Sequence, residues 1–403
     1  MNDASRDIWI TGAGIVSTLG EGLAAHWAGL HAPPAPPDTA TWAPFAYRPL
    51  AAIELDRQIP RKGDQRQMEP WQRIGTYAAG LALESAGAKG DAALLARMDM
   101  IVAAGGGERD LAVDAAILSK LNESNKPAQL LNERLMNDLR PTLFLAQLSN
   151  LLAGNISIVH GVTGSSRTFM GEEQAAVDAV RVAHARIAGG QSDIALVGGA
   201  YNADQIGPWL LYGMGGQLWK GAPAPLWERA GAGGGMELGS LGAFLVIEEK
   251  AHARGRAARP LARLSAVLAS RASRRDGGLT AMLERLWSEL APRLDTGALA
   301  LISGASGAEP ATAQERAFLA KRQGLAVRAT TAHLGHGPEA QFAMNIALAA
   351  MAASEGKLFP SFDPSGFERA MDAPLRQVAA TGVGLWRGEG LALIERIAHD
   401  EAP

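Results

Sequence analysis

The chain has 403 residues, of which 47% are hydrophobic and 20% charged, and it carries a formal net charge of −3. This length exceeds what one small core needs and fits two domains or two fused halves. The weak charge gives no electrostatic reason to expect nucleic acid or a membrane surface as a partner. The absence of cysteine excludes disulfides, thiolate metal sites and a cysteine nucleophile, and it suits a cytoplasmic setting.

The first half alternates short apolar runs that end in glycine with alanine-rich helical stretches. Ile8 to Val16 predicts two short strands around a glycine turn, and a helix follows over Leu23 to Leu30. No signal peptide is expected before them. The proline-rich residues 31–49 indicate a surface loop. An amphipathic helix is predicted over Trp71 to Ala86 and a buried strand over Met100 to Ala104.

The remainder of the chain keeps this alternation, which favours an α/β fold with parallel or mixed sheets. Further helices are predicted over Gln174 to Ala188, Gln314 to Lys321 and Phe342 to Ser354, and further strands over Ile194 to Val197, Leu241 to Glu249, Leu299 to Ile302 and Gly390 to Ile397. Leu241 to Glu249 and Gly390 to Ile397 resemble each other, because each is an apolar strand that carries glutamate. This likeness predicts two related halves, joined near residues 254–260.

The run TGAGIVSTLG, residues 11–20, invites comparison with a dinucleotide-binding turn. That fingerprint needs a third glycine where Ser17 stands, and an acidic residue after a second strand about 20 residues later. Helix and then the proline-rich loop occupy that region. The run is therefore interpreted as a tight strand-to-helix turn, and no cofactor is expected.

Two further patterns each allow a functional and a structural interpretation. His333 and His336 could share a metal ion, but the chain shows no third ligand or zinc motif near them, so a structural histidine or one left from a former site is favoured. Glu172 and Glu173 open a helix, where carboxylates complement the helix dipole. One of them could instead act as an acid or base in a cleft.

Several collinear segments resemble the β-ketoacyl-acyl-carrier-protein synthases over almost the whole chain. They are IWITGAGIVSTLGEGLAAHWAGL, MEPWQRIGTYAAGLALESAG, GSLGAFLVIEEKAHARGRAARPLARL and TGVGLWRGEGLALIER. The resemblance implies a thiolase fold, an α/β architecture of two pseudo-duplicated halves with a layered αβαβα core. The halves would span residues 1–255 and 256–403.

The same resemblance locates the catalytic positions, and most of them are substituted. Counting along GSSRTFMGEEQAAVDAV places the nucleophilic cysteine of the family at Glu173. The first catalytic histidine corresponds to Gly304, and the KSxxGH run corresponds to RATTAH, with Arg328 for lysine and His333 for histidine. The gating loop GFGG becomes GLWR, residues 384–387. Because condensation needs the nucleophile and the histidine pair, no activity is expected from the chain alone.

A retained fold without the chemistry is similar to the chain-length factors, which dimerise with an active synthase. The expected partner is such a synthase, with an acyl carrier protein reached through it, and the partner subunits of aryl-polyene clusters are one branch of this kind. Leu111, Ala115 and Leu118 share a helical face; with Leu385 and Trp386 they are candidates for lining the tunnel or packing the interface. The alternative function is a malonyl-carrier-protein decarboxylase that primes a synthase through Glu173.

Overall fold

The fold is described from a computed structural model over residues 6–107, 110–138, 148–222 and 224–398. The helices are α1 (Gly22–Leu30), α2 (Lys62–Gln67), α3 (Pro70–Ser85), α4 (Ala92–Leu95), α5 (Leu111–Glu123), α6 (Pro127–Asn137), α7 (Leu151–His160), α8 (Glu173–Ala188), α9 (Ile206–Met214), α10 (Lys250–Gly255), α11 (Gly278–Leu290), α12 (Ala311–Ala320), α13 (Thr331–Leu334) and α14 (Pro338–Glu355). The strands are β1 (Ile8–Ser17), β2 (Gly20–Glu21), β3 (Tyr47–Arg48), β4 (Asp99–Ala104), β5 (Ser166–Met170), β6 (Ile194–Tyr201), β7 (Leu238–Gly239), β8 (Leu241–Glu249), β9 (Ala262–Ser270), β10 (Leu299–Ser303), β11 (Ala326–Ala329), β12 (Gln377–Val383) and β13 (Glu389–Glu395). Short 3₁₀ helices lie at Leu55–Arg57, Leu226–Ala232 and Ala291–Arg293.

The main sheet contains the same five-strand pattern twice. Its order is β11-β10-β12-β13-β9-β1-β8-β6-β4-β5, with β2 paired to β1. Numbered within its own set, each group of five strands has the order 3-2-4-5-1. In both groups the first three strands of that order are parallel, and the last two pairings are antiparallel. The two groups meet where β1 pairs with β9. The division of the chain at residues 255 and 256 stays a proposal.

Three apolar cores separate five layers of structure. One core packs α3 and α7 on the first strand group, and another packs α11 and α12 on the second. The third and largest lies between the groups and contains α8 and α14, which pack against each other. Because both faces of these two helices are covered, α14 is apolar nearly all round, as its alanine-rich sequence predicts. The predicted α/β thiolase-like architecture is confirmed.

The predicted glycine turn near the N-terminus is wrong, because residues 8–17 form one continuous strand, β1. Gly12 and Gly14 lie beneath α3. A Cβ atom on Gly14 would stand 2.1 Å from the carbonyl oxygen of Ala78. The two glycines therefore let helix and strand backbones approach closely, and they do not form a phosphate-binding turn.

None of the described helices is both long enough and apolar enough to cross a bilayer.

Candidate functional site

Glu173 is the first residue of α8, at the centre of the molecule. Its side chain is buried, and the helix carrying it packs against α14 from the other half. At this position the helix dipole favours a negative charge by about 0.3–1 kcal/mol. The same dipole would activate a thiol in an enzyme that carried one here. The structure therefore places a carboxylate at the buried end of the central helix.

The histidine that contacts Glu173 is His336. The Nε2 atom of His336 donates a hydrogen bond of 2.8 Å to Oε1 of Glu173, and both side chains are buried. His333, the sequence-predicted histidine, does not contact Glu173, because its Nε2 atom donates to the carbonyl oxygen of Ala32 at 3.1 Å. Between the two histidines, Gly335 has a φ of 71° and reverses the chain. The two rings therefore face different surroundings.

The remaining predicted site positions make structural contacts. The backbone N–H of Gly304 donates to Oγ1 of Thr381 at 2.8 Å, in a fully buried turn. Arg328 donates through Nε to the carbonyl oxygen of Phe359 and through Nη1 to that of Arg369, at 2.8 and 2.9 Å. Among the hydrogen bonds of the described residues, neither Gly304 nor Arg328 contacts Glu173.

Hydrogen bonds from Arg274 hold the loop after β12, residues 384–388, beside the start of α8. Arg274 donates to the carbonyl oxygens of Gly384 and Gly388, each at 2.8 Å, and to the Glu389 carboxylate at 2.9 Å. The side chains of Arg274 and Glu389 are 7% and 0% exposed, so this ion pair is buried. A buried pair of this kind fixes the geometry of its surroundings, because each charge needs its partner.

A cavity of about 510 Å³ lies beside the hydrogen-bonded pair of Glu173 and His336, and Glu172 forms part of its wall. Of the residues predicted to line a tunnel, Leu111 lines this cavity. Ala115 and Leu118 are exposed on α5. Leu385 is buried in an apolar cluster with Tyr47, Tyr201 and Tyr212. Trp386 is 40% exposed and stacks on Tyr212. The structure thus separates these five candidates into one cavity residue, one buried residue and three surface residues.

Glu339, in the first turn of α14, also lines the cavity. Its carboxyl is buried, and its Oε2 atom has no hydrogen-bond partner among the described residues. Burial, followed by repulsion from Glu173 and Glu172, raises the pKa of Glu339 to about 8. At neutral pH the side chain is therefore mainly a neutral carboxylic acid, with an O–H group to donate.

The raised pKa predicts a measurable pH dependence. Between pH 4.5 and about 8 the folded chain holds a proton that the unfolded chain releases, so the free energy of unfolding falls as pH rises through this window. We expect Glu339→Gln to remove this component. Urea unfolding of both proteins at several pH values between 5 and 8 tests it, since buried His26 and His160 affect both equally. Parallel pH profiles would contradict the expectation.

The described residues contain no cluster of three or more potential metal ligands, and the two histidines proposed as an alternative metal pair bind different partners. Neither Arg274 nor Glu339 was predicted as a site residue from the sequence, and the pairing of His336 with Glu173 was not predicted. The run HLGHGPE, residues 333–339, brings His336 and Glu339 together at the start of an apolar helix and was an available signal. For Arg274 the surrounding RASRRDGG run gave none, because several arginines compete for the assignment.

The fold and site define an α/β protein of two repeated halves, with a carboxylate and an imidazole enclosed where its central helices meet. The family model described as "Beta-ketoacyl synthase, N-terminal domain" matches residues 5–253, more than half of the chain. The chain therefore belongs to the β-ketoacyl synthase family. None of the curated proteins compared with it matches.

Solved structures share the fold over nearly the full length. One, described as "The ishigamide ketosynthase/chain length factor", has a TM-score of 0.78 and 20% identity, and the match covers 98% of this chain and 100% of that chain. A β-ketoacyl synthase from Burkholderia phymatum STM815 gives 0.76 and 19%, covering 98% and 100%. A type II polyketide ketosynthase, in complex with its acyl-carrier protein and bound to the hexaketide, gives 0.71 and 16%, covering 97% and 100%.

Proposed function

We propose that this chain is a non-catalytic, chain-length-factor-like subunit that pairs with an active β-ketoacyl synthase. The observation that carries the proposal is the hydrogen bond between Glu173 and His336. At the position where the family resemblance puts the nucleophile, a carboxylate is held by an imidazole in a buried pair. Transfer of an acyl chain to a carboxylate would give a mixed anhydride, which hydrolyses readily, and the Nε2 atom of the nearby imidazole is already engaged.

Other contacts support the same conclusion. The resemblance puts the first histidine and the lysine of the family at Gly304 and Arg328, which bind other parts of the chain. The loop at residues 384–388 is held by Arg274, and moving it would break the hydrogen bonds from this arginine to the carbonyl oxygens of Gly384 and Gly388. Decarboxylation through Glu173 is disfavoured, because the Nε2 proton of His336 is donated to Glu173 and is not available to stabilise an enolate oxygen.

An uncovered apolar surface supports a macromolecular partner. Met170, on the edge strand β5, is 72% exposed. The exposed apolar side chains of α9 are Ile206, Leu210, Leu211 and Met214, at 44–86%. Among the described residues, Trp386 is the only large exposed hydrophobic side chain outside residues 118–214, and it stacks on Tyr212. Exposed apolar side chains concentrated in one region are typical of an interface. Within the described part of the chain, β5 pairs only with β4, so its other edge is open to a partner.

The proposed occupant of this surface is an active synthase of the same fold. The structure described as a ketosynthase/chain length factor, which shares the fold of this chain, suggests that partner. A second copy of this chain would bury the same surface but would supply no nucleophile, because the sequence has no cysteine. The partner would contribute the cysteine and both histidines, and it would recruit the acyl carrier protein.

The test is to assay the free chain, a cysteine-bearing β-ketoacyl synthase from the same genome that co-purifies with it, and the two proteins together. We expect the free chain to release no carbon dioxide from malonyl-carrier protein and the complex to condense. Alanine at the partner's cysteine should abolish condensation, whereas Glu173→Gln, which still accepts from His336, should retain it. Carbon dioxide release by the free chain that Glu173→Ala abolishes would instead establish the decarboxylase.

A further inference from the structure

The cavity beside Glu173 and His336 is apolar where it opens to the surface and polar at its buried end, which is called its floor below. Its volume of about 510 Å³ lies within the range of small-molecule sites. Ile206, Leu210 and Leu211 line it and are 44–55% exposed, so they mark the side that opens to the surface. Glu339 and Tyr201 also line it and are 6% and 8% exposed. The cavity therefore runs inward from the apolar surface to two buried polar side chains.

Both polar side chains on the floor lack a hydrogen-bond partner. Among the described residues, nothing binds Oε2 of Glu339 or the hydroxyl of Tyr201. Gly105 leaves room for the carboxyl, because a Cβ atom on that residue would stand 2.9 Å from Oε1 of Glu339. A buried polar group without a partner destabilises a protein unless something in the cavity binds it. These two groups therefore point to a ligand.

The charges around the floor select a neutral ligand. Burial, with repulsion from Glu173 and Glu172, keeps Glu339 mainly protonated at neutral pH, and burial raises the pKa of Tyr201 well above its usual value. Both groups are then O–H donors. The charged side chains in the cavity wall, Glu172 and Arg387, lie 3.7 Å apart and offset each other. An anion gains little here, whereas a neutral oxygen would accept from both donors.

We propose that this cavity binds the far end of a neutral, oxygen-bearing acyl chain, whose hydroxyl or carbonyl oxygen accepts hydrogen bonds from Glu339 and Tyr201. This inference rests on the proposed function, in which the chain extended by the partner synthase reaches into this subunit. A saturated hydrocarbon chain of equal length would contact the apolar walls of the cavity, but it would leave the O–H groups of Glu339 and Tyr201 without an acceptor. The subunit would then select chains by the polarity of their ends as well as by length.

The test compares two carrier-protein substrates of equal size, 7-hydroxyheptanoyl and octanoyl, in the complex with the partner synthase. We expect kcat/KM to favour the hydroxylated chain, and Glu339→Leu with Tyr201→Phe to change the ratio by about tenfold toward octanoyl, the effect of losing one or two hydrogen bonds. Glu339→Gln, which keeps an N–H donor, should retain most of the preference. An unchanged ratio in the double variant would overturn the inference.

Size-exclusion chromatography of the same samples separates this inference from the proposed function. If the complex forms and extends chains without a change in ratio, the inference fails and the proposed function stands. If no complex forms, the proposed function fails. The inference is then tested on the free chain by measuring the dissociation constants of cyclohexanone and of cyclohexane. The ratio of the two dissociation constants should then shift about tenfold in the double variant, and an unchanged ratio would reject it.

Discussion

Met170→Glu is expected to weaken association with the partner synthase by at least about 100-fold, because a carboxylate would be buried in an apolar interface without a counter-charge. Met170 ends the edge strand β5, and its side chain is 72% exposed in the single chain. The substitution should therefore leave the fold of the free subunit intact. Leu211→Glu on α9, at a position 55% exposed, should act in the same way.

Surface plasmon resonance with the immobilised synthase measures this effect, and condensation by the mixture should fall with it. The matched control is Ala281→Glu, at an exposed position of α11, which adds the same single negative charge to the other half of the molecule. Equal affinity of Met170→Glu and the unmodified chain would show that this surface is not where the synthase binds.

Arg274→Ala is expected to lower the free energy of unfolding by about 3–5 kcal/mol, the usual effect of removing one partner of a buried ion pair. The substitution leaves Glu389 buried without its cation and removes the hydrogen bonds from Arg274 to the carbonyl oxygens of Gly384 and Gly388. Replacing both Arg274 and Glu389 by apolar residues should restore part of the loss, since no charge then remains unpaired.

Urea unfolding followed by circular dichroism measures this change. Arg285→Ala is the control, because its pair with Glu289 is exposed and should contribute at most about 1 kcal/mol. A loss for Arg274→Ala no larger than that of the control would mean that the loop at residues 384–388 holds its place without the buried pair.

The predicted elements agree with the structure where a pattern is long and periodic. The helix expected over Trp71 to Ala86 is α3, and the strand expected over Leu241 to Glu249 is β8. The glycine-rich segment of β1 was misinterpreted, because the reason for its glycines is the backbone of α3, about 65 residues away in sequence. Local pattern carries no information about that contact.

The sequence by itself determined that the chain alternates strands and helices, that it has no cysteine to serve as a nucleophile, and that an acidic residue begins α8. Only the tertiary structure decided which histidine meets that residue. His333 and His336 are three positions apart, yet the positive φ of Gly335 turns the chain between them, so that only His336 reaches Glu173. Glu173 and His336 meet because α8 and α14, which are distant in sequence, pack against each other. The spacing of residues along the sequence does not encode this contact.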